Sequence, residues 1–162
     1  MKRFILMLAS FLLVQGCSHN IASTGPFFKA HAPLEKNKAA AYFFHRGKDS
    51  EYITNCLLVK VDGQNQGCLG YPGFVLAHVQ AGEHKMAFVP DALIKLPANL
   101  TFRHSFKAGH TYYFELRRLT SNAERKIALK YHYNLLLEAD YGWFLVDIET
   151  ALEVLPNLRE WA

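Results

Sequence analysis

Histidine is the residue type whose spacing in this chain first suggests chemistry. Of the eight histidines, His78 and His84 flank one Ala-Gly turn, and His104 and His110 flank another. Neutral imidazoles are common metal ligands, so two turns lying side by side would bring four of them together. However, the spacing is looser than in zinc motifs, and histidines at strand ends are usually solvated or hydrogen-bonded. We therefore expect no metal or other cofactor, and these four are the candidates if a metal is bound.

Cysteine is the second such residue type, and Cys56 and Cys68 flank a strong Asp-Gly turn signal. If residues 61–63 form a three-residue hairpin loop, Lys60 faces Gln64 and the two cysteines lie directly opposite each other. That separation suits a disulfide, whereas a two-residue loop shifts the register and places the sulfurs less well. We predict a Cys56–Cys68 disulfide. Because neither cysteine belongs to a Cys-x-x-Cys motif, a reactive thiol or metal thiolate is disfavoured.

A catalytic constellation is not evident in the sequence. A hydrolase needs a nucleophile, a base and a group that orients the base, but no serine lies in a Gly-x-Ser-x-Gly motif. Asp147 and Glu149 stand where they would cap a terminal helix. The isolated glycines form no phosphate-cradling loop. We therefore expect that this protein is not an enzyme.

The remaining cysteine, Cys17, follows a short apolar segment near the start of the chain. Lys2-Arg3 precedes the apolar run of residues 4–14, which is shorter than the ~20 residues needed to span a bilayer. This is the layout of a secretory signal peptide. Leu13-Val14-Gln15-Gly16-Cys17 resembles the lipobox of bacterial lipoproteins, in which the cysteine is acylated and becomes the first residue after cleavage. We expect a signal peptide over residues 1–16 and a lipid on Cys17; the alternative is an ordinary secretory signal.

Export has consequences for charge, redox state and location. Removing residues 1–16 from the 162-residue chain leaves 146 residues with 16 basic and 14 acidic side chains. No cluster of basic residues suggests nucleic-acid binding, and Arg117-Arg118 is interpreted as a solvated strand end. Disulfides persist outside the cytoplasm. Ser18, rather than Asp, follows the lipidated cysteine, which in a Gram-negative bacterium resembles sorting to the periplasmic face of the outer membrane.

Turn residues and a period of two organise the rest of the chain. Residues 17–37 hold Ser, Asn, Gly and Pro with little periodicity, which predicts a lipidated N-terminus followed by a flexible tether. Residues 38–162 form the single domain. Apolar residues there alternate over seven or eight segments separated by Gly-containing turns, which predicts a mainly β fold. We expect an antiparallel β-sandwich, immunoglobulin-like or transthyretin-like, or a barrel.

Two segments near the C-terminus carry further expectations. Residues 127–138 satisfy both a strand period and a helical spacing; the longer alternation favours a strand, and a helix stays open. A terminal helix is expected over residues 149–155, capped by Asp147 and ended by Pro156.

Aromatic residues make up 14% of the chain. They fit core positions, or alternatively an aromatic face that binds glycan or protein, and an exposed edge strand could pair with a partner.

The order of these motifs is similar to that of a bacterial lipoprotein family known as domain of unknown function 2846, and the turns also resemble PEGA-type modules. The segments that carry the resemblance are Ala39–Arg46, Val59–Gly63 with Gly67, Gly73–Leu76, Gln80–His84, Lys107–Phe114 and Leu145–Glu149. The cysteine pair and residues 120–140 depart from the family pattern. The resemblance implies a β-sandwich lipoprotein and no particular activity.

These observations lead to one expectation and two alternatives. We expect a lipid-anchored, non-catalytic binding or structural module of the cell envelope. Its partners would be the membrane, through the lipid on Cys17, and an envelope protein or glycan. The first alternative is a periplasmic metal-binding lipoprotein that uses the four histidines, and the second is a hydrolase.

Overall fold

The structure, a computed structural model, describes residues 25–29, 34–47, 57–90, 100–134 and 139–160. The described residues form nine strands, two short α-helices and one 3-10 helix. The strands are β1 (Lys38–His45), β2 (Leu57–Val61), β3 (Gln64–Leu69), β4 (Gly73–Gln80), β5 (Gly82–Pro90), β6 (Leu100–Phe106), β7 (Thr111–Arg118), β8 (Lys130–Asn134) and β9 (Ala139–Val146). The helices are α1 (Asn122–Ile127), α2 (Ile148–Leu152) and the 3-10 helix Leu155–Asn157.

The strands form two sheets that pack face to face. The five-stranded sheet has the order β4-β1-β7-β9-β8, and the four-stranded sheet has the order β3-β2-β5-β6. The predicted mainly β sandwich with a short C-terminal helix is confirmed. The described part of the chain holds nine strands, whereas the sequence predicted seven or eight. One pair, β1 with β7, is parallel, whereas the sequence predicted an antiparallel sandwich.

The alternating apolar residues of both sheets meet in one inner core. Phe43 lies at its centre, and its ring contacts those of Phe88, Phe114 and Trp143. The Phe88 and Trp143 rings stack across the sheets with centroids 4.1 Å apart. Each aromatic side chain removes a large apolar area from water, which contributes roughly 1.5–3 kcal/mol for a Phe. This inner core is what period-two alternation predicts.

A second apolar cluster covers the outer face of the five-stranded sheet, so that β1 is buried on both faces. Tyr42 of β1 and Tyr113 of β7 stack there with ring centroids 5.5 Å apart. Helix α2 and the 3-10 helix supply Ala151 and Leu155 to the same cluster. Alternation alone would leave this face in water; the C-terminal helices bury it instead.

The terminal helix is shorter than predicted. Asp147 is its N-cap as expected, since its side chain accepts a hydrogen bond of 2.7 Å from the N–H of Thr150. Helix α2 ends at Leu152, and Pro156 lies inside the following 3-10 helix instead of ending one helix at residue 155. A proline fits the first turn of a helix because the N–H that it lacks has no partner there.

Residues 25–29 and 158–160 lie side by side along the outer edge of β4. The N–H of Phe74 donates to the carbonyl of Arg159, and Phe27 pairs with Arg159 in an antiparallel bridge. Phe28 packs its ring against those of Tyr42 and Phe74. The expected flexible tether over residues 17–37 is therefore corrected for residues 25–29, because backbone hydrogen bonds and an apolar contact hold them on the sandwich. Residues 1–24, with the predicted signal peptide and Cys17, lie outside the described residues.

The hairpin between β2 and β3 corrects the predicted register. Asp62 and Gly63 both have positive φ, 49° and 84°, and form a two-residue turn in which Lys60 faces Asn65. A bulge follows between Val59 and Lys60, so that Cys68 lies opposite Leu58. The three-residue loop was wrong because an Asp-Gly pair can supply two consecutive left-handed residues, the geometry that matches strand twist. Cys56 lies outside the described residues, so its pairing with Cys68 stays a prediction.

The strand interpretation of residues 127–138 is confirmed over residues 130–134, and the alternative helix reaches only the first residue of the segment, Ile127. Helix α1 ends at Ile127, and strand β8 begins at Lys130; residues 135–138 lie outside the described part of the chain. Ser121 caps the helix by accepting a hydrogen bond from the N–H of Glu124.

Among the residues that the structure describes, no helix has the length and apolar character to cross a membrane.

Candidate functional site

Two of the four candidate histidines are neighbours. His84 of β5 and His104 of β6 are directly paired in register, and both lie on the side of the sheet that carries the buried Met86 and Phe102. Alternation along the strands places both side chains on this inward side. Both strands extend past the densely packed core towards the Ala-Gly turns, so the two imidazoles lie at the margin of the core. The strand pairing therefore brings one histidine from each turn together, where the conditional arrangement considered for the sequence had four.

The neighbours of the two imidazoles differ. His84 places Nδ1 2.6 Å from Asp62 Oδ2, and the other Asp62 oxygen accepts a hydrogen bond from the N–H of Lys85. These contacts, the Lys85 N–H first, lower the pKa of Asp62. His104 packs against the rings of Phe106, Tyr112 and Phe114, and burial lowers its pKa. The Nε2 atom of His104 has no hydrogen-bond partner among the described residues.

The other two candidate histidines lie elsewhere. His78 of β4 is on the outer side of the five-stranded sheet, 3.8 Å from a Glu35 oxygen, and His110 turns its Nδ1 to the carbonyl of Ala108 in its own turn. The four imidazoles therefore do not converge. Within the described ranges, no group of three or more His, Cys, Asp or Glu side chains is placed to hold a metal ion.

A notch at the same end of the sandwich offers a binding surface. Strand β9 ends at Val146, opposite Tyr113, whereas β7 extends to Thr111. The chain then turns into α2, and this leaves a cavity of about 300 Å³. We call it the β7–β9 notch, and it is lined by Thr111, Tyr112, Tyr113, Leu145, Val146, Asp147 and Ile148.

The lining of the notch suits binding rather than catalysis. Leu145 and Ile148 are 45% and 48% exposed, which leaves two aliphatic side chains in water. The hydroxyl of Tyr112 already accepts a hydrogen bond of 3.0 Å from the N–H of Lys107. The Asp147 carboxylate caps α2, and its hydrogen bonds from Thr150 lower its pKa. The exposed Leu145 and Ile148 side chains make this a surface on which an aliphatic group of a partner is buried favourably.

A buried ionic cluster lies on the outer face of the five-stranded sheet. Glu115 of β7 has no exposed surface, and its carboxylate forms a hydrogen-bonded ion pair with Arg46. Arg117 lies 3.5 Å from the second carboxylate oxygen and also pairs with Glu124 at 3.4 Å. The Arg117 guanidinium stacks 4.1 Å above the Phe144 ring. Arg117 is thus part of a structural ion-pair network, and the interpretation of Arg117-Arg118 as a solvated strand end is corrected for Arg117.

Sequence reasoning missed this cluster. The alternation of Tyr112, Phe114 and Leu116 indicates the inward face of β7 and places Glu115 on the opposite face, where burial of a carboxylate has no local signal. The one indication of an ion pair in the sequence was a lone glutamate between apolar neighbours with Arg117 two positions later, on the same side of the strand. Its ion-pair partner Arg46 is 69 residues away in sequence, and only the parallel pairing of β1 with β7 brings the two together.

No protein-family model matches the chain, and no curated protein matches it either.

Proposed function

We propose that this protein is a lipid-anchored lipoprotein of the bacterial cell envelope and that it binds another envelope protein without catalysing a reaction. The observation that carries the anchor is Gly16-Cys17 directly behind the charged start and the apolar run of residues 4–14. The resemblance of the later motifs to a lipoprotein family agrees with this location. Ser18 supports the outer membrane as the destination.

The β7–β9 notch supports a binding role. It combines a cavity with exposed aliphatic side chains, Leu145 and Ile148. Glycan sites typically present exposed aromatic rings, but Tyr113 is buried and Tyr112 packs against His104. Exposed aliphatic side chains gain most when a protein partner covers them. A protein partner is therefore favoured over a glycan.

Fractionation tests the anchor. The full chain, expressed in a Gram-negative host, should sediment with membranes and be released by detergent but not by high salt. Cys17→Ser should appear in the soluble periplasmic fraction or remain uncleaved. A Cys17→Ser variant that is membrane-bound and processed like the parent protein would contradict lipid anchoring.

Photo-crosslinking tests the binding role. A photoreactive residue replaces Ile148 in the notch or, as a control, Ser105, which is exposed on β6. In the native envelope, the notch position should give one discrete protein adduct that the control position does not give. Equal labelling from both positions, or none from the notch, would argue against a protein-binding notch.

We also propose the Cys56–Cys68 disulfide as part of this exported protein. The chain holds three cysteines, and lipidation of Cys17 would leave Cys56 and Cys68 to pair with each other. Thiol titration of the unfolded, unreduced mature protein should find no free thiol, whereas two free thiols would exclude the bond. Reduction should lower the free energy of unfolding by about 3 kcal/mol, the amount expected for a loop of this size.

A further inference from the structure

Backbone hydrogen bonds fix residues 25–29 to the sandwich. The Gly25 N–H donates to the Glu160 carbonyl at 3.0 Å, and the Glu160 N–H donates to the Pro26 carbonyl at 2.9 Å. A Cβ atom at residue 25 would lie 2.2 Å from the Glu160 carbonyl oxygen, so only glycine permits this close approach. Residues 25–29 and 158–160 together form an added edge beside β4, which we call the terminal edge.

This attachment shortens the link between Cys17 and the domain. Seven residues, 18–24, separate Cys17 from Gly25. A chain of that length reaches at most about 29 Å when fully extended and roughly 16 Å when flexible. A compact domain of this size is about 38 Å across. A lipid on Cys17 would therefore hold the terminal edge nearer to the bilayer than any surface on the far side of the sandwich.

The side chains of the terminal edge suit a phospholipid surface. Phe27 is 52% exposed, and the Arg159 guanidinium lies 3.9 Å from its ring centroid. Lys29 is exposed on the same segment. An aromatic ring with neighbouring basic groups is the combination found at membrane interfaces, where the ring enters the headgroup layer and the cations meet phosphates.

The acidic groups nearby are partly occupied. The Glu160 carboxylate accepts a hydrogen bond from the Leu76 N–H. Glu35 pairs with Lys38, with 2.6 Å between the charged atoms. Both carboxylates thus have partners within the protein, and Lys29 and Arg159 supply the basic charge available at this edge.

We propose that the terminal edge, through Phe27, Lys29 and Arg159, lies against the phospholipid headgroups. This proposal rests on the proposed lipid anchor at Cys17. The β8 edge of the five-stranded sheet lies five strand positions from the terminal edge, about 24 Å at the usual strand spacing, and α1 lies beside that opposite edge. The β7–β9 notch lies at the end of the sandwich and stays accessible to a partner.

Amine labelling on vesicles tests this orientation with two native lysines. Lys29 lies on the terminal edge, and Lys126 is an exposed lysine of α1 near the opposite edge. The full lipidated protein is reconstituted into vesicles of phosphatidylethanolamine and phosphatidylglycerol and acetylated, and the rates are read by mass spectrometry. The Lys29 to Lys126 rate ratio should fall at least fivefold relative to the unlipidated Cys17→Ser protein mixed with the same vesicles.

A variant and three contrary outcomes complete the test. Gly25→Ala introduces a clash with the Glu160 carbonyl and so detaches residue 25 from the terminal edge. The chain between Cys17 and the first residue held on the sandwich then becomes longer. Much of the Lys29 labelling should return while the lipid remains attached. A lipidated, vesicle-bound protein with an unchanged ratio would overturn this inference and leave the anchor standing. A chain that carries no lipid would overturn both. Protection of Lys29 in native envelopes but not in vesicles would assign the edge to a protein partner and also overturn the inference.

Discussion

Glu115 is a carboxylate with no exposed surface, held between Arg46 and Arg117 beneath the outer face of the sheet. Removing its charge leaves the Arg46 guanidinium without its counter-ion and leaves Arg117 with Glu124 alone, both in a partly desolvated position. Removing one member of a fully buried pair costs about 3–5 kcal/mol. Because both arginines keep more than a third of their side-chain surface in water, the loss here should be smaller, since water partly screens them.

Glu115→Gln should therefore lower the free energy of unfolding by about 2 kcal/mol, less than a fully buried pair would lose. The matched control is Glu83→Gln, which breaks the exposed pair with Arg103 and should change stability by less than about 0.5 kcal/mol. Denaturant titration measures both. Equal losses in the free energy of unfolding from the two variants would show that burial does not strengthen the ion pairs of Glu115.

His45 adds a pH dependence to the stability. It is almost fully buried, its Nδ1 accepts a hydrogen bond of 2.8 Å from the Gly47 N–H, and burial lowers its pKa to about 4. In the unfolded chain the pKa is close to 6.5, so the unfolded state binds the proton more tightly. Stability is therefore complete above about pH 6.5 and is lost as the pH falls towards 4.

Between pH 7 and pH 5, His45 should account for a loss of about 2 kcal/mol in the free energy of unfolding. His104, whose pKa burial also lowers, acts in the same direction. His45→Gln should remove most of the His45 share of this pH dependence. Denaturant titrations at both pH values decide this; an unaltered slope in His45→Gln would refute the assignment.

At the scale of elements, the segment of residues 25–29 offers a matched pair of aromatic side chains. Phe28 packs on Tyr42 and Phe74, whereas the neighbouring Phe27 is half exposed under Arg159. Phe28→Ala should lower the free energy of unfolding by roughly 2 kcal/mol, below the 3–5 kcal/mol of a full core position. Phe27→Ala should cost less than about 1 kcal/mol. Thermal or denaturant unfolding of the mature chain distinguishes them, and equal losses would mean that the segment is not docked as described.

The elements also show how far local sequence rules reach. Alternation predicted strands over residues 100–106 and 110–117, and the structure has them at Leu100–Phe106 and Thr111–Arg118. The Asp62-Gly63 signal predicted a turn, but its length depended on two consecutive positive φ values, and the bulge after Lys60 shifted the register again. The sequence predicted a tether over residues 25–29, because the contacts that hold Phe28 are with Tyr42 and Phe74, which are far away in the sequence.

For the whole molecule, the sequence predicted the class of fold but not its topology. Strands β1 and β7 pair in parallel, with Ala40 beside Thr111. This pairing depends on contacts between residues far apart in the sequence, and such contacts produce no local sequence pattern. The same pairing brings Arg46 to Glu115, so the ionic cluster could not be foreseen without it. Of the candidate site, His84 and His104 were identified by their turns, whereas the notch exists because β9 stops at Val146 while β7 continues.

The lipid on Cys17 is the central claim, since location, redox state and orientation all depend on it. Intact-mass spectrometry of the protein purified from bacterial membranes tests it most directly. The predicted result is a chain beginning at Cys17, with the added mass of a diacylglyceryl group and an N-terminal acyl chain. A chain that begins elsewhere, or a Cys17 of unmodified mass, would contradict the account.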